Sequence, residues 1–105
     1  MTKWIVLCLL ATACTSASST GIAPATCPTG SALTYANFGS SFVSTNCLSC
    51  HASRENPRLA TQAQIQSNKA AILQNAVYTD AMPQDADLTT AERQMLGEWL
   101  ACGAP

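Results

Sequence analysis

The most reactive group of side chains in the sequence is Cys47-Leu48-Ser49-Cys50-His51, with two thiols three positions apart and an imidazole directly after the second. This spacing is the attachment pattern of a c-type haem, in which both thiols add to the vinyl groups of one porphyrin and the histidine binds the iron. A shuffled chain of the same composition would contain about 0.003 such motifs, so chance is a poor explanation. The sequence therefore predicts one covalently attached haem c, held by Cys47 and Cys50, with His51 on the iron.

Three other interpretations of these cysteines stay open: a thioredoxin-like dithiol, a zinc site and a structural disulfide. A thioredoxin-like protein would carry a βαβ pattern, whereas helical, aromatic-rich sequence precedes Cys47. Zinc would need a fourth ligand, and His51 is the only histidine in the chain. A disulfide between Cys47 and Cys50 gives no account of the sequence features that follow them.

An iron that carries electrons favours a sixth ligand, because a saturated iron changes its oxidation state with little rearrangement. The chain has no second histidine, so methionine is the natural candidate. We expect Met82 to be this ligand, because Pro83 favours an extended conformation at the preceding residue, which presents its side chain from a loop. Met95 is expected to pack in the core, and Lys69 is a remote alternative ligand.

Three segments with helical periodicity must position these groups, and no strand pattern competes with them. The first predicted helix runs from 34 to 46, the second from 61 to 77, and the third begins at 89 and ends before Gly103. Their apolar faces contain Tyr35, Phe38 and Phe42 in the first, Ile65, Ile72, Leu73, Ala76 and Val77 in the second, and Met95, Leu96, Trp99 and Leu100 in the third. Capping boxes are predicted at Thr61 with Gln64 and at Thr89 with Glu92. The sequence therefore predicts a small all-α fold of three main helices.

The length and charge of the chain limit what it can do. A chain of 105 residues has room for one domain, and 10% charged residues with a net charge of −1 do not suit a nucleic-acid-binding protein. A large substrate pocket is not expected either, so we predict that the protein is not an enzyme.

The amino terminus has the pattern of an export signal. Lys3 precedes an apolar run over residues 4–10 and small residues follow, which predicts a signal peptide over residues 1–13. Cys14 then resembles the lipidated cysteine of a bacterial lipoprotein, although Ala11-Thr12-Ala13 also suits an ordinary signal peptidase. We predict a flexible tether over residues 14–26, a folded domain over residues 27–105, and a periplasmic or cell-envelope lipoprotein.

The cysteine count supports this assignment. Six cysteines in a short chain argue for an oxidising compartment. If Cys8 leaves with the signal, Cys14 is lipidated and the motif cysteines hold haem, then Cys27 and Cys102 remain as one disulfide pair. Such a bridge would stabilise the domain by roughly 4 kcal/mol. The alternative is that one of the two is a free thiol or pairs with another molecule.

Over residues 33–101 the chain resembles the class I c-type cytochromes. The resemblance rests on the aromatic helix before the motif, the motif itself, Met82-Pro83 and the aromatic terminal helix. It implies a small helical domain around a haem with His51 and Met82 as axial ligands. It also implies a close crossing of the first and last helices, where Gly39, Phe42 or Val43 would meet Leu96, Trp99 or Leu100.

Two further features of the haem surroundings are expected from the same resemblance. A backbone carbonyl near Pro57 is the candidate to orient the His51 imidazole, and Arg54 and Arg58 are candidates to neutralise the haem propionates. The chain departs from many class I cytochromes at Ala52, where they have glycine, and in its single Pro83, where they have two prolines.

These features together predict a single-electron carrier that cycles between Fe(III) and Fe(II). The expected partners are exported or membrane-bound redox proteins, and Asp80, Asp85 and Asp87 around Met82 suit a partner with a basic docking surface. Membrane association would follow from a lipid anchor at Cys14. The alternatives are a haem sensor or peroxidase-like protein with an open sixth site, and a haem-free, disulfide-stapled envelope interaction module.

Overall fold

The computed structural model describes residues 17–84 and 86–105. Its regular elements are π1 (Tyr35–Gly39), α1 (Ser40–Asn46), α2 (Leu48–His51), α3 (Gln62–Ser67), α4 (Lys69–Ile72), π2 (Leu73–Val77) and α5 (Thr90–Ala101), where π1 and π2 are π-helical segments. Extended pairing in this part of the chain is limited to one antiparallel bridge between Ser19 and Thr79. The described residues thus form the all-α domain that the periodicity predicts. The predicted signal peptide, Cys14 and Asp85 lie outside the described residues.

Each of the three helical regions begins at a threonine with a capping box. The threonine hydroxyl accepts a hydrogen bond from the backbone N–H three residues later, and the side chain there accepts one from the threonine N–H. The pairs are Thr34 with Asn37, Thr61 with Gln64, and Thr89 with Glu92. The last two are predicted from the sequence and confirmed. At the last one, the hydrogen bonds from the Thr89 backbone and side chain lower the pKa of Glu92, so its carboxylate stays charged at the positive end of α5.

The second helical region is interrupted, although the sequence predicts one continuous helix over residues 61–77. The break lies at Asn68, which has φ −114° and ψ 19° between α3 and α4. Its side-chain amide donates a hydrogen bond to the Gln64 carbonyl at 2.7 Å. Short amide side chains of this kind compete with the backbone for carbonyl partners and so favour helix ends.

The core is centred on Trp99 of α5, whose side chain is fully buried. Tyr35 stacks against it with ring centroids 6.5 Å apart, and Phe38 meets it edge-on at 5.8 Å. Gly39 lies so close that a Cβ atom built on it would be 2.2 Å from the indole ring. The expected close crossing of the first and last helices is therefore present, and it is made by Gly39 and Trp99.

One core prediction is wrong. Met95 is 47% exposed, and the buried face of α5 instead contains Arg93 and Gly97 with Leu96, Trp99 and Leu100. The reason is that π2 packs on this face. A Cβ atom on Gly97 would lie 3.2 Å from Val77 Cγ1, so the Val77 side chain packs directly on the α5 backbone at Gly97, whereas Met95 is left on the solvent side.

The predicted disulfide joins Cys27 to Cys102, with their Cα atoms 4.8 Å apart. It links the segment before π1 to the end of α5. The chain before Cys27 also lies on the domain: Thr20 N–H donates to the Tyr78 carbonyl at 3.0 Å, and Ala25 N–H donates to the Tyr78 hydroxyl at 2.8 Å. The described part of the predicted tether is thus hydrogen-bonded to the chain that follows π2.

Candidate functional site

The residues that the sequence analysis singles out for chemistry line one cavity. Cys47, Cys50, His51 and Met82 all contribute to its wall, and its volume is about 460 Å³. This volume falls within the range of roughly 300–1,000 Å³ that is usual for ligand and cofactor pockets. Its other lining residues are Asn46, Ser49, Arg54, Glu55, Asn56, Pro57, Leu59, Ala71, Ile72, Asn75, Ala76, Pro83 and Gln84.

The two motif cysteines lie on one helical turn. Cys47 is the N-cap of α2, and its carbonyl accepts hydrogen bonds from the N–H groups of Cys50 at 3.3 Å and His51 at 3.0 Å. Residues three positions apart on such a turn project from the same side. The turn therefore presents two thiol side chains and the adjacent imidazole to the cavity, and the structure shows no disulfide between Cys47 and Cys50.

The imidazole of His51 has a defined orientation. Its Nδ1 atom lies 2.8 Å from the Pro57 carbonyl oxygen, and its own carbonyl accepts a hydrogen bond from Leu59 N–H at 2.8 Å. Because a carbonyl can only accept, the proton belongs on Nδ1, which leaves the Nε2 lone pair available for a metal. The expectation that a carbonyl near Pro57 orients this ring is confirmed, and the carbonyl is that of Pro57 itself.

Met82 is held by its backbone from two sides. Its N–H donates to the Asn75 carbonyl at 2.7 Å, and its carbonyl accepts a hydrogen bond from Arg93 Nη1 at 2.9 Å. The following Pro83 is buried and the Met82 side chain is half-buried in the cavity wall. The loop after π2 thus presents the thioether from a fixed backbone.

Arg93 is a residue that the sequence analysis missed as part of this site. It is only 4% exposed, and its Nη1 also donates to the carbonyls of Ala76 at 2.7 Å and Thr79 at 3.4 Å. A signal was present in the sequence. Arg93 lies three residues before Leu96 and seven before Leu100, which places a cation on the apolar face of the last helix.

The remaining candidates divide between the cavity and the surface. Arg54 lines the cavity, and its Nη2 donates to the Ser49 carbonyl at 2.8 Å and lies 3.4 Å from Cys50 Sγ. Arg58 is exposed and is not part of the lining. Lys69, the remote alternative ligand, does not line the cavity, and neither does Met95.

Two of the three aspartates that the sequence places around Met82, Asp80 and Asp87, lie in the described residues, and each contacts another part of the chain. Asp80 Oδ1 accepts a hydrogen bond from Ser18 N–H at 2.6 Å, and Asp80 belongs to a shallow depression beside Met82. Asp87 is fully exposed and its carboxylate lies 3.9 Å from Arg93 Nη2. Both carboxylates lie on the part of the chain between π2 and α5, which also contains Met82.

Two alternative interpretations of the motif find no matching surroundings here. The thioredoxin-like reading expects strands, and residues 17–84 and 86–105 contain only the isolated bridge. In the same ranges, no three imidazole, thiol or carboxylate side chains lie close enough together to hold a metal ion, as a zinc site would require.

Neither the fold nor a relative assigns a function to this chain. Across the described residues, no helix has the length and apolar character needed to span a membrane. No family model, curated protein or solved structure matches the chain.

Proposed function

We propose that this chain is an exported c-type cytochrome that carries single electrons, with one haem c bound to Cys47 and Cys50 and with His51 and Met82 as axial ligands. One observation carries the proposal. The haem-attachment motif at α2 and the methionine expected as a sixth ligand, in the loop after π2, line the same cavity of about 460 Å³ although Met82 lies 31 positions after His51 in sequence.

The donor set fits this cofactor. Two thiols from one helical turn match thioether attachment, and an imidazole with Nδ1 on a carbonyl has Nε2 ready for iron. Once bound, the haem would supply a reversible Fe(III)/Fe(II) couple. The task of the chain is to hold two neutral ligands in place in both states, and the soft Met82 thioether favours the ferrous one.

The cavity walls suit electron transfer. Leu59, Ala76 and Pro83 are buried lining residues that keep water from the inner side, which lowers the local dielectric constant. Arg54 and Gln84 are exposed lining residues and mark the side open to solvent. This is the edge at which a partner would exchange an electron, and Arg54 would meet the propionates there.

The proposal is tested by absorption spectra of the oxidised and dithionite-reduced protein, expressed in a host with haem-attachment machinery. We expect sharp reduced bands that survive denaturation, and their loss in the double variant Cys47→Ala/Cys50→Ala. Met82→Ala should retain the covalent haem but lose the thioether-to-iron charge-transfer band of the oxidised protein. Met95→Ala is the matched control, because this exposed methionine lies outside the cavity lining.

The other outcomes identify the competing functions. A colourless wild type despite competent machinery would contradict the cytochrome proposal and favour a disulfide-stapled interaction module. Covalent haem that lacks the charge-transfer band and binds carbon monoxide readily when reduced would indicate a sensor or peroxidase-like protein with an open sixth site.

The partners we propose are exported or membrane-bound redox proteins with a basic docking surface. The Cys27–Cys102 disulfide is consistent with an oxidising compartment, where a lipid anchor at Cys14 would add membrane association.

Asp80 and Asp87 are exposed carboxylates on the chain around Met82. We expect electron-transfer rates with a basic redox protein to fall as salt rises and to fall further in Asp80→Asn/Asp87→Asn. Electron-transfer rates that depend neither on salt nor on these two substitutions would contradict this docking mode.

A further inference from the structure

We propose that Arg93 is a positioning residue for Met82: its guanidinium fixes the loop backbone and thereby sets how firmly the thioether is held at the cavity. The inference rests on the proposed function, since it takes Met82 as an iron ligand. It assigns a role in that site to a residue of α5 that does not itself line the cavity.

The hydrogen bonds of Arg93 join the two ends of one loop. A single nitrogen, Nη1, donates to the Ala76 carbonyl in π2 at 2.7 Å and to the Met82 carbonyl at 2.9 Å. The Thr79 carbonyl between them lies 3.4 Å from the same atom. One guanidinium nitrogen therefore links the carbonyl of Ala76 in π2 to those of Thr79 and Met82 in the loop that follows.

The burial of Arg93 makes these bonds strong and mutually dependent. The side chain is 5% exposed, and Asp87, its ion-pair partner at 3.9 Å, is fully exposed and so is screened by water. A buried cation must be compensated by hydrogen-bond acceptors. The carbonyls of the Met82 loop supply these acceptors. The buried guanidinium therefore depends on the loop conformation, and the loop conformation depends on the guanidinium.

The Met82 peptide has few other attachments. The Asn75 carbonyl accepts its N–H at 2.7 Å, and Pro83 after it has no N–H to bond elsewhere. Without the guanidinium, the Met82 carbonyl would lose the partner that fixes its direction. The loop would then present the thioether over a range of positions rather than one, and an external ligand would displace it more easily.

The test is a titration with imidazole, which competes with Met82 for the sixth position on the iron. The loss of the charge-transfer band measures how much Met82 has been displaced. We expect Arg93→Gln to retain covalent haem. The imidazole concentration that halves the band should be at least about tenfold lower than in the wild type, because hydrogen bonds to a charged group are lost. Arg93→Lys keeps the charge but not the planar fork, and should show an intermediate effect. Arg58→Gln, which removes an exposed arginine outside the cavity lining, should match the wild type.

A second control separates positioning from general stability. Ile65→Ala removes a buried side chain that lies outside the cavity lining, and urea unfolding would show its loss of stability. If Ile65→Ala lowers the imidazole concentration that halves the band as much as Arg93→Gln does, the positioning role is overturned. Wild-type resistance to imidazole in a folded Arg93→Gln protein would overturn it as well.

A readout that does not need haem distinguishes this inference from the proposed function. Hydrogen exchange of the Met82 amide, which is bonded to Asn75, should be at least about tenfold faster in Arg93→Gln than in Arg58→Gln. If the wild type binds no haem, the proposed function fails, and this exchange rate alone decides whether Arg93 fixes the loop. If haem binds and the exchange rate is unchanged, only the role of Arg93 fails.

Discussion

Gly39→Ala is expected to destabilise the folded protein by about 1–3 kcal/mol, although alanine is the better helix former. A Cβ atom at this position would lie 2.2 Å from two ring carbons of Trp99, far inside contact distance. The indole cannot move away, because it is fully buried between Tyr35 and Phe38. Either the ring or the backbone of π1 must shift, and both lie in the packed core.

The sign of this effect makes the prediction specific. Gly39 has φ −63°, which any residue can adopt, so helix propensity alone would make Gly39→Ala stabilising by about 1 kcal/mol. Ser41 is an exposed residue of the adjoining helix α1, and the pair Ser41→Ala and Ser41→Gly measures propensity without contact. Urea unfolding should favour alanine at 41 and glycine at 39. Alanine favoured at both positions would mean that the close crossing does not exist in solution.

Removal of the Cys27–Cys102 disulfide is the second change with a large expected effect. The bridge spans 75 residues of sequence, and the chain-entropy model assigns it about 4 kcal/mol through its constraint on the unfolded chain. Domains of this size have a total stability of only about 5–15 kcal/mol. We therefore expect Cys27→Ala/Cys102→Ala to lie close to the limit of folding at physiological temperature.

The slope of urea unfolding shows where this effect arises. Without the cross-link the unfolded chain expands and exposes more surface, so the dependence of the unfolding free energy on urea should become steeper as the midpoint falls. The single variants Cys27→Ala and Cys102→Ala should each behave like the double variant, because either one opens the bridge. A lower midpoint with an unchanged slope would contradict the unfolded-state explanation and indicate lost native contacts instead.

The sequence predicts local features of this fold well because their causes are local. The capping boxes at Thr61 and Thr89 need only a hydroxyl and a side chain three residues later, and both are formed. The break at Asn68 escaped prediction, because an apolar period continues across it while one side-chain hydrogen bond ends the helix.

Errors in the last helix have a different cause. Periodicity shows that α5 has an apolar face but not which neighbouring element covers it. Met95 was therefore predicted in the core and is exposed, whereas Arg93 is buried because carbonyls of π2 and the Met82 loop surround it. Those carbonyls belong to residues 11 and 17 positions away in sequence.

By itself, the sequence determined the three helical regions of the described residues, the thiols and imidazole of the motif from Cys47 to His51, and the pairing of Cys27 with Cys102. Motif spacing and helix starts depend on neighbours along the chain, and the pairing of Cys27 with Cys102 follows from the count of the remaining cysteines, so all of them can be read from the sequence. Only the tertiary structure decided that Met82 lines the same cavity as the motif, and that Arg93 donates to the Met82 carbonyl from α5. These depend on which distant carbonyls and walls the packed core brings together, and no local pattern encodes that.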